Sequence, residues 1–289
     1  MSRVKVFLVT SFTQDKHAGN PAGVVLHAES LSDEQMQRIA TKLGFAETAF
    51  VLPSDKADFR LRFFAPNHEV DLCGHGTIAT FHVLRTQGLV DLENKEKNSL
   101  IQETRAGLLT VTCHQDGRIV MAQTDPIFGE IEKDKARIAA LLGIIESDMV
   151  EDLPTQVVST GTPKLLIPLK SLAAVRAITP DIEGIKAYCR ATTARGFYPF
   201  TTESPIAGAD FYARQFNPLA DENEDPVTGV AAGALSCYAK KYRLYDDKQA
   251  FVVAQGHDLG KGGNMFVDVS NGVNVGGYAV VFGQEELEV

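Results

Sequence analysis

An α+β fold of two similar domains is what this 289-residue sequence predicts, and three observations predict it. The chain is longer than one hydrophobic core usually serves. Strand-like runs occupy both halves. Each half also holds one helix-like run, GTIATFHVLRTQ and EDPVTGVAAGALSCYAKKY, that is small or apolar nearly all round and therefore belongs inside a domain. Strands wrapping one buried helix, twice over, imply a pseudo-duplicated chain. The domains are expected as residues 1–117 plus 280–289, and residues 118–279.

The elements follow in order. VKVFLVTSF has strand composition, and GNPAGVVL reads as a turn entering a second strand. LSDEQMQRIATKLG reads as an amphipathic helix: Ser32 caps it with Gln35 three residues on, Met36, Ile39, Ala40 and Leu43 share a face, and Gly44 stops it. FAETAFVL and DFRLRFF are strands, the second with Phe59, Leu61 and Phe63 facing one way and Arg60 and Arg62 the other. The first buried helix begins near DLCGHGT and ends at Gly88. After a charged stretch, LENKEKN, the run LIQETRAGLLTVTCHQDGRIVMAQ supplies strands, with Asp116-Gly117 as a hairpin turn. DKARIAALLG, SLAAVRAI and DIEGIKAYCRA read as helices, among the strands VVSTGTPKLLIPL, GFYPFTT and DFYARQF. The second buried helix is expected to have Asp225 as its N-cap and Pro226 as its first residue. FVVAQGHDLGKGGNMFVDVS and VNVGGYAVVFG close the chain as strands.

Composition excludes several functions. A formal net charge of -9 argues against nucleic-acid binding, which needs clustered Lys and Arg. Cys73, Cys113, Cys189 and Cys237 are widely spaced, form no CxxC pair and follow no signal-like segment, which fits reduced thiols in the cytoplasm. No apolar run approaches the roughly 20 residues that span a bilayer.

Chemistry concentrates at DLCGHGT, residues 71–77, which admits three readings. As a metal site it pairs Cys73 and His75, near Asp71 and His68, but lacks the C-x₂₋₄-C or H-x₃₋₅-H spacing of a zinc centre, and no metal is expected. As a thiol site, Cys73 at a helix N-terminus gains from the partial positive charge there, although a buried free Cys is also an ordinary small hydrophobe. As a glycine-rich helix start, Gly74 and Gly76 bare backbone N-H groups that can hold a carboxylate, with His75 beside the anion. From spacing alone, His75 as proton carrier and His75 as helix-capping residue stand level.

Two carboxylates complete the candidates. Alternation puts Glu47 on one strand face with Phe45, Ala49 and Val51, so neither face is open water and a raised pKa is expected; a sheet-edge Glu with its head in solvent is the ordinary alternative. Asp225 can cap its helix and still orient a substrate ammonium or hydroxyl. Its neighbours Asp221, Glu222 and Glu224 otherwise read as a solvated acidic loop.

Taken with GNPAGVVL, FAETAFV, FFAPNHEVDLCGHGT, VVSTGTPKLLIPL, ARQFNPLADENEDPVTG and VNVGGYAVV, DLCGHGTIAT resembles the phenazine-biosynthesis PhzF-like family over nearly the whole chain. The resemblance implies the diaminopimelate epimerase-like fold, two domains each with a barrel-like sheet around a central helix and the site in the cleft between them. It implies a cofactor-free isomerase that moves a proton on a small unsaturated or cyclic carboxylic acid, and a homodimer. By the same resemblance Glu47 is the acid/base, with His75 and Asp225 as active-site partners. Asn20, Gly74, Gly76, Thr77, Thr228, Gly229 and Val230 are then the substrate-binding set.

One position departs. The family motif usually ends TGSA where this chain has TGVA, so Val230 replaces a serine that contacts substrate in the phenazine enzyme, and a different substrate or a changed binding mode is expected. Relative to the epimerases, Cys73 keeps one thiol position and Pro226 takes the other. A thiol-assisted epimerase and a non-catalytic binding protein with a degraded pocket remain as alternatives.

Overall fold

The computed structural model describes residues 3–90, 98–219 and 223–288. Most of the LENKEKN stretch, and the acidic residues Asp221 and Glu222, lie outside these. In chain order the elements begin with strands β1 (Arg3–Ser11) and β2 (Asn20–Val25), helix α1 (Asp33–Leu43), strands β3 (Glu47–Leu52), β4 (Phe59–Phe64) and β5 (Glu69–Val70), and helix α2 (Gly74–Thr86). Strands β6 (Ser99–Thr104), β7 (Gly107–Cys113), β8 (Ile119–Gln123) and β9 (Ile127–Glu132) follow, then α3 (Lys135–Leu142), β10 (Thr155–Ser159), β11 (Lys164–Pro168), α4 (Leu172–Ala177) and α5 (Ile182–Ala191). The remainder is β12 (Phe197–Thr201), β13 (Phe211–Ala213), β14 (Gln215–Phe216), β15 (Glu224–Asp225), α6 (Gly229–Lys241), β16 (Ala250–Gln255), β17 (Gly263–Asp268), β18 (Val273–Gly277) and β19 (Ala279–Glu288).

The chain divides into two compact units, Met1–Ala122 with Gly276–Val289, and Gln123–Val275. These divisions fall later than residue 117 and earlier than residue 279. The hairpin at Asp116-Gly117 keeps β8 paired to β7. Gly276 and Gly277 pack without side chains against Val120 and Phe12 of the first unit.

Unit 1 is a sheet in the order β19, β1, β2, β3, β4, β6, β7, β8. Its successive pairs run antiparallel, antiparallel, parallel, antiparallel, parallel, antiparallel and antiparallel. Unit 2 runs β9, β10, β11, β12, β13, β16, β17, and its six pairs repeat the first six of unit 1 in the same sense. That identity of pairing is the duplication the two buried helices implied.

Inside unit 1, α2 packs against β1, β2, β3 and β19; inside unit 2, α6 packs against β10, β11, β16 and β17. Both helices bury Ala, Gly and aromatic residues on every side, so each is the core of its own unit. The outer faces are covered separately. Helix α1, held by the expected Ser32–Gln35 capping box, lays Met36, Ile39 and Ala40 over Val25, Phe50 and Phe64. Helices α3, α4 and α5 cover Leu165, Ile167 and Phe197 in unit 2. All four cysteines are free and buried. Among the described residues no helix is long and apolar enough to cross a membrane.

Candidate active site

The site in unit 1 is assembled by β2, β3 and the start of α2. At the β1–β2 turn, Gly19 adopts φ +76°, and a Cβ there would meet the Ser11 carbonyl at 2.3 Å, so only glycine lets Asn20 open β2. Asn20 is buried. Ala22, two residues on, pairs with Glu47 across the parallel β2–β3 register. Phe50 and Leu52 belong to the outer core under α1, so alternation turns Glu47, Ala49 and Val51 inward, toward α2.

Helix α2 starts where Cys73, in extended conformation, places its sulfur as N-cap acceptor for the Gly76 N-H at 3.2 Å. His75 is therefore not the cap. Its carbonyl accepts the Ser11 hydroxyl at 2.8 Å, which ties the helix start to β1. Gly76 is required by packing: a Cβ would sit 3.0 Å from Cys73 Sγ and 3.1 Å from the Phe63 ring. The Thr77 hydroxyl donates to the Cys73 carbonyl at 2.8 Å and lies 3.3 Å from Gln102 Oε1, so its proton is used inside the helix start.

These elements bring His75 Nε2 to 3.2 Å from Glu47 Oε2, with 11% and 23% of the two side chains exposed. The contact is at ion-pair distance, yet no hydrogen bond of normal geometry reaches the buried Oε2. The expected upward shift of Glu47 is corrected here. Burial does push its pKa up, but the charge of His75, with a contribution from Cys73, outweighs burial and holds it below the ordinary carboxylate value of 4.5. Burial likewise opposes charging of His75, but the neighbouring Cys73 sulfur first and the Glu47 carboxylate second raise it well above 6.5. For Cys73, burial and the Glu47 charge raise the thiol pKa, so the thiol is protonated at neutral pH.

The pH dependence follows from these directions. The raised His75 contributes stability that is full below 6.5 and is lost as pH rises through its raised value. The lowered Glu47 contributes stability present above 4.5 and lost as pH falls through its lowered value. Urea unfolding of the unsubstituted protein and of Glu47→Gln should therefore differ most near about pH 5–6 and converge as pH rises through the raised value of His75. A difference that stays constant across that range would contradict the ion pair.

Glu47, Cys73 and His75 also place an oxygen, a sulfur and a nitrogen within 4.8 Å of one another, a donor set of the kind zinc accepts. Local spacing could not show it, because Glu47 comes from another element. Cys73 Sγ lies 3.5 and 3.7 Å from the two ring nitrogens of His75. A ligand on one nitrogen's lone pair would be much closer to that nitrogen, so the sulfur is beside the ring rather than part of a formed coordination shell.

In unit 2 the corresponding point is the start of α6. Its N-cap is Thr228 and its first residue Gly229, not Asp225 and Pro226 as the sequence suggests. Asp225 ends β15, pairing with Gln215 of β14. Its Oδ2 accepts the Thr228 hydroxyl at 2.6 Å, and Oδ1 lies 3.4 Å from the Val227 N-H. The Thr228 hydroxyl turned to Asp225 no longer caps the helix. Glu224 is not a solvated acid either, since Arg214 grips it bidentately at 2.8 and 2.9 Å. Val230 is half-buried, and its carbonyl accepts from the Thr160 hydroxyl at 3.1 Å.

Gln255, which sequence reasoning missed as an ordinary strand end, organises this segment. Its Nε2 donates to the Asp225 carbonyl at 2.7 Å and to Thr228 Oγ1 at 3.2 Å. Its Oε1 accepts from the Tyr198 hydroxyl at 3.0 Å and the Thr228 N-H at 3.3 Å. Because Thr228 Oγ1 accepts from the amide, its own proton is directed onto the Asp225 carboxylate.

Residues 9–284 match the profile of the PhzC/PhzF family, described as phenazine biosynthesis-like protein. The chain belongs to this family. It is 36% identical over 289 residues to the uncharacterized isomerase YfhB of Bacillus subtilis, covering 97% of each chain. It is 29% identical over 266 residues to the trans-2,3-dihydro-3-hydroxyanthranilate isomerase of Pseudomonas aeruginosa, covering 90% of this chain and 88% of the other. The crystal structure of a PhzF-family phenazine biosynthesis protein from Bacillus anthracis superposes with a TM-score of 0.91 at 34% identity, over 100% of both chains. This PhzF-family chain is an isomerase with the duplicated α+β fold of its relatives.

Proposed function

We propose that the protein is a cofactor-independent isomerase that moves a proton between two carbons of a small unsaturated or cyclic carboxylic acid. The observation that carries this is the Glu47–His75 pair, 3.2 Å apart at the glycine-rich mouth of α2. Glu47 is ionised at neutral pH, so it is ready to accept a proton from an activated carbon. Oε2 is the buried oxygen, which leaves Oε1 to meet the substrate. When Glu47 takes the proton, its charge is cancelled, and the His75 imidazolium remains to stabilise the anion developing on the substrate. Return of the proton to a second carbon completes the shift with no net change in the protein. Asp225, oriented by Thr228 and Gln255, accepts a hydrogen bond from a substrate hydroxyl or ammonium.

Bared N-H groups at Gly74 and Gly229 supply donors for the carboxylate. The protonated, high-pKa thiol of Cys73 counts against thiol-assisted epimerisation. The same reading makes the protein a cytoplasmic homodimer whose partner is a small carboxylate, not a nucleic acid or a membrane.

Val230 separates this substrate from that of the phenazine-pathway isomerase. Val230→Ser supplies the hydroxyl found in the family motif, and is expected to raise turnover of trans-2,3-dihydro-3-hydroxyanthranilate by about tenfold or more. Unchanged turnover, followed by absorbance or NMR, would mean that position 230 does not set substrate choice.

A further inference from the structure

The duplication places a second ionisable group in unit 2. Gly161-Thr162-Pro163 leads into β11 as Gly19-Asn20-Pro21 leads into β2, and both glycines have positive φ, 151° and 76°. Matching the two turns sets Lys164 at the place of Ala22 and Leu165 at that of Gly23. The parallel registers agree: Gly23 pairs with Thr48 of β3, and Leu165 with Phe197 of β12. Gly196, just before Phe197, thus holds the place of Glu47. Lys164 holds the place of Ala22, the strand partner of Glu47.

Orientation follows from alternation. Leu165 and Ile167 lie in the outer core under α3, α4 and α5, so Lys164 and Leu166 face inward, toward α6. Where unit 1 carries a carboxylate on one strand, unit 2 carries an ammonium on its neighbour. Lys164 is only 2% exposed. Burial pulls its pKa down to about 8, opposed by the charge of Asp225, and among the described residues no hydrogen bond contributes. Cys189, the other group that acts on it, is pushed by its own burial to about 11 and is neutral at pH 7.

An unpartnered acceptor lies in the same unit. The Gln215 side chain covers Gly196, where a Cβ would meet its Nε2 at 2.5 Å, and Gln215 pairs with Asp225 in the β14–β15 register. Among the described residues its Oε1 is fully buried and meets no hydrogen-bond donor. A buried lysine without a hydrogen-bonded counter-ion is costly, and lysine is almost never buried unpaired in a purely structural role. The arrangement is one an incoming anion completes.

We propose that Lys164 is a substrate-binding residue whose ammonium, on the inner face of unit 2 with Asp225 and Gln215, receives the carboxylate of the small acid. The inference rests on the isomerase reading for the class of that acid.

The test uses the full chain and three proteins, the unsubstituted one, Lys164→Met and Glu47→Gln, melted with and without millimolar benzoate, with benzamide as the neutral control. Benzoate should raise Tm of the unsubstituted protein and of Glu47→Gln, and benzamide should not. Lys164→Met should melt higher than the unsubstituted protein without ligand, because a methionine needs no counter-ion, and should bind benzoate about tenfold more weakly or worse. A lower Tm for Lys164→Met would make Lys164 structural and overturn the proposal. So would a benzoate response that Lys164→Met retains, or the absence of any response in the unsubstituted protein. If benzoate acts as expected but no acid exchanges its protons, the carboxylate site stands and the isomerase reading falls alone.

Discussion

Glu47→Gln is expected to lower proton transfer by about 10²–10⁴-fold while leaving the fold intact, the range typical of a lost general acid/base. The amide keeps the shape of the carboxylate and its contact with His75, but cannot accept a proton from carbon. The effect should appear in kcat more than in KM, because Oε2 already faces His75 and Glu47 contributes little to holding the ground state. Wash-in of deuterium from heavy water, followed by NMR on the isolated substrate, measures it directly. A variant that exchanges at the unsubstituted rate would remove Glu47 from the mechanism and move attention to Asp225 or Lys164.

Phe81→Ala should be the most damaging simple core truncation in unit 1, at about 3–5 kcal/mol. Phe81 is 0% exposed on α2 and meets Phe59 edge-on with ring centroids 6.1 Å apart. Strands surround α2, so little can collapse into the space, and the cavity penalty should approach the upper part of that range. Urea unfolding reads the loss. A cost of less than about 1 kcal/mol would show that α2 is not the core of its unit.

The fold was legible because its signals are local. An amphipathic α1 with Ser32, Gln35 and Gly44, two helices without a polar face, and a hairpin at Asp116-Gly117 each declare themselves within a few residues. The family motifs carried Glu47, His75 and Asp225, which spacing alone left open. What could not be read was partnership. Glu47 looked like a carboxylate stranded among apolar neighbours, so a raised pKa followed; the partner that lowers it comes from α2, outside any periodicity window around β3. The start of α6 was misread for a similar reason. Asp followed by Pro favours a cap, but pairing of Asp225 with Gln215 in a short ladder and the pull of Gln255 hold it in extended backbone, and Thr228 takes the cap position. Lys164 and Gln255 gave no signal at all, since a lysine opening a strand and a glutamine closing one are ordinary. The place of Lys164 shows only when the two units' registers are compared, and that of Gln255 only in its hydrogen bonds.

The protein is incubated in heavy water with a small-molecule extract, and mass spectrometry identifies which acids gain deuterium relative to the Glu47→Gln control. The proton-shuttle account predicts that one carboxylic acid, or an isomeric pair, gains a single deuterium on carbon with the unsubstituted protein and not with the variant. Deuterium incorporation that is equal in both, or absent from every carboxylic acid, would contradict it.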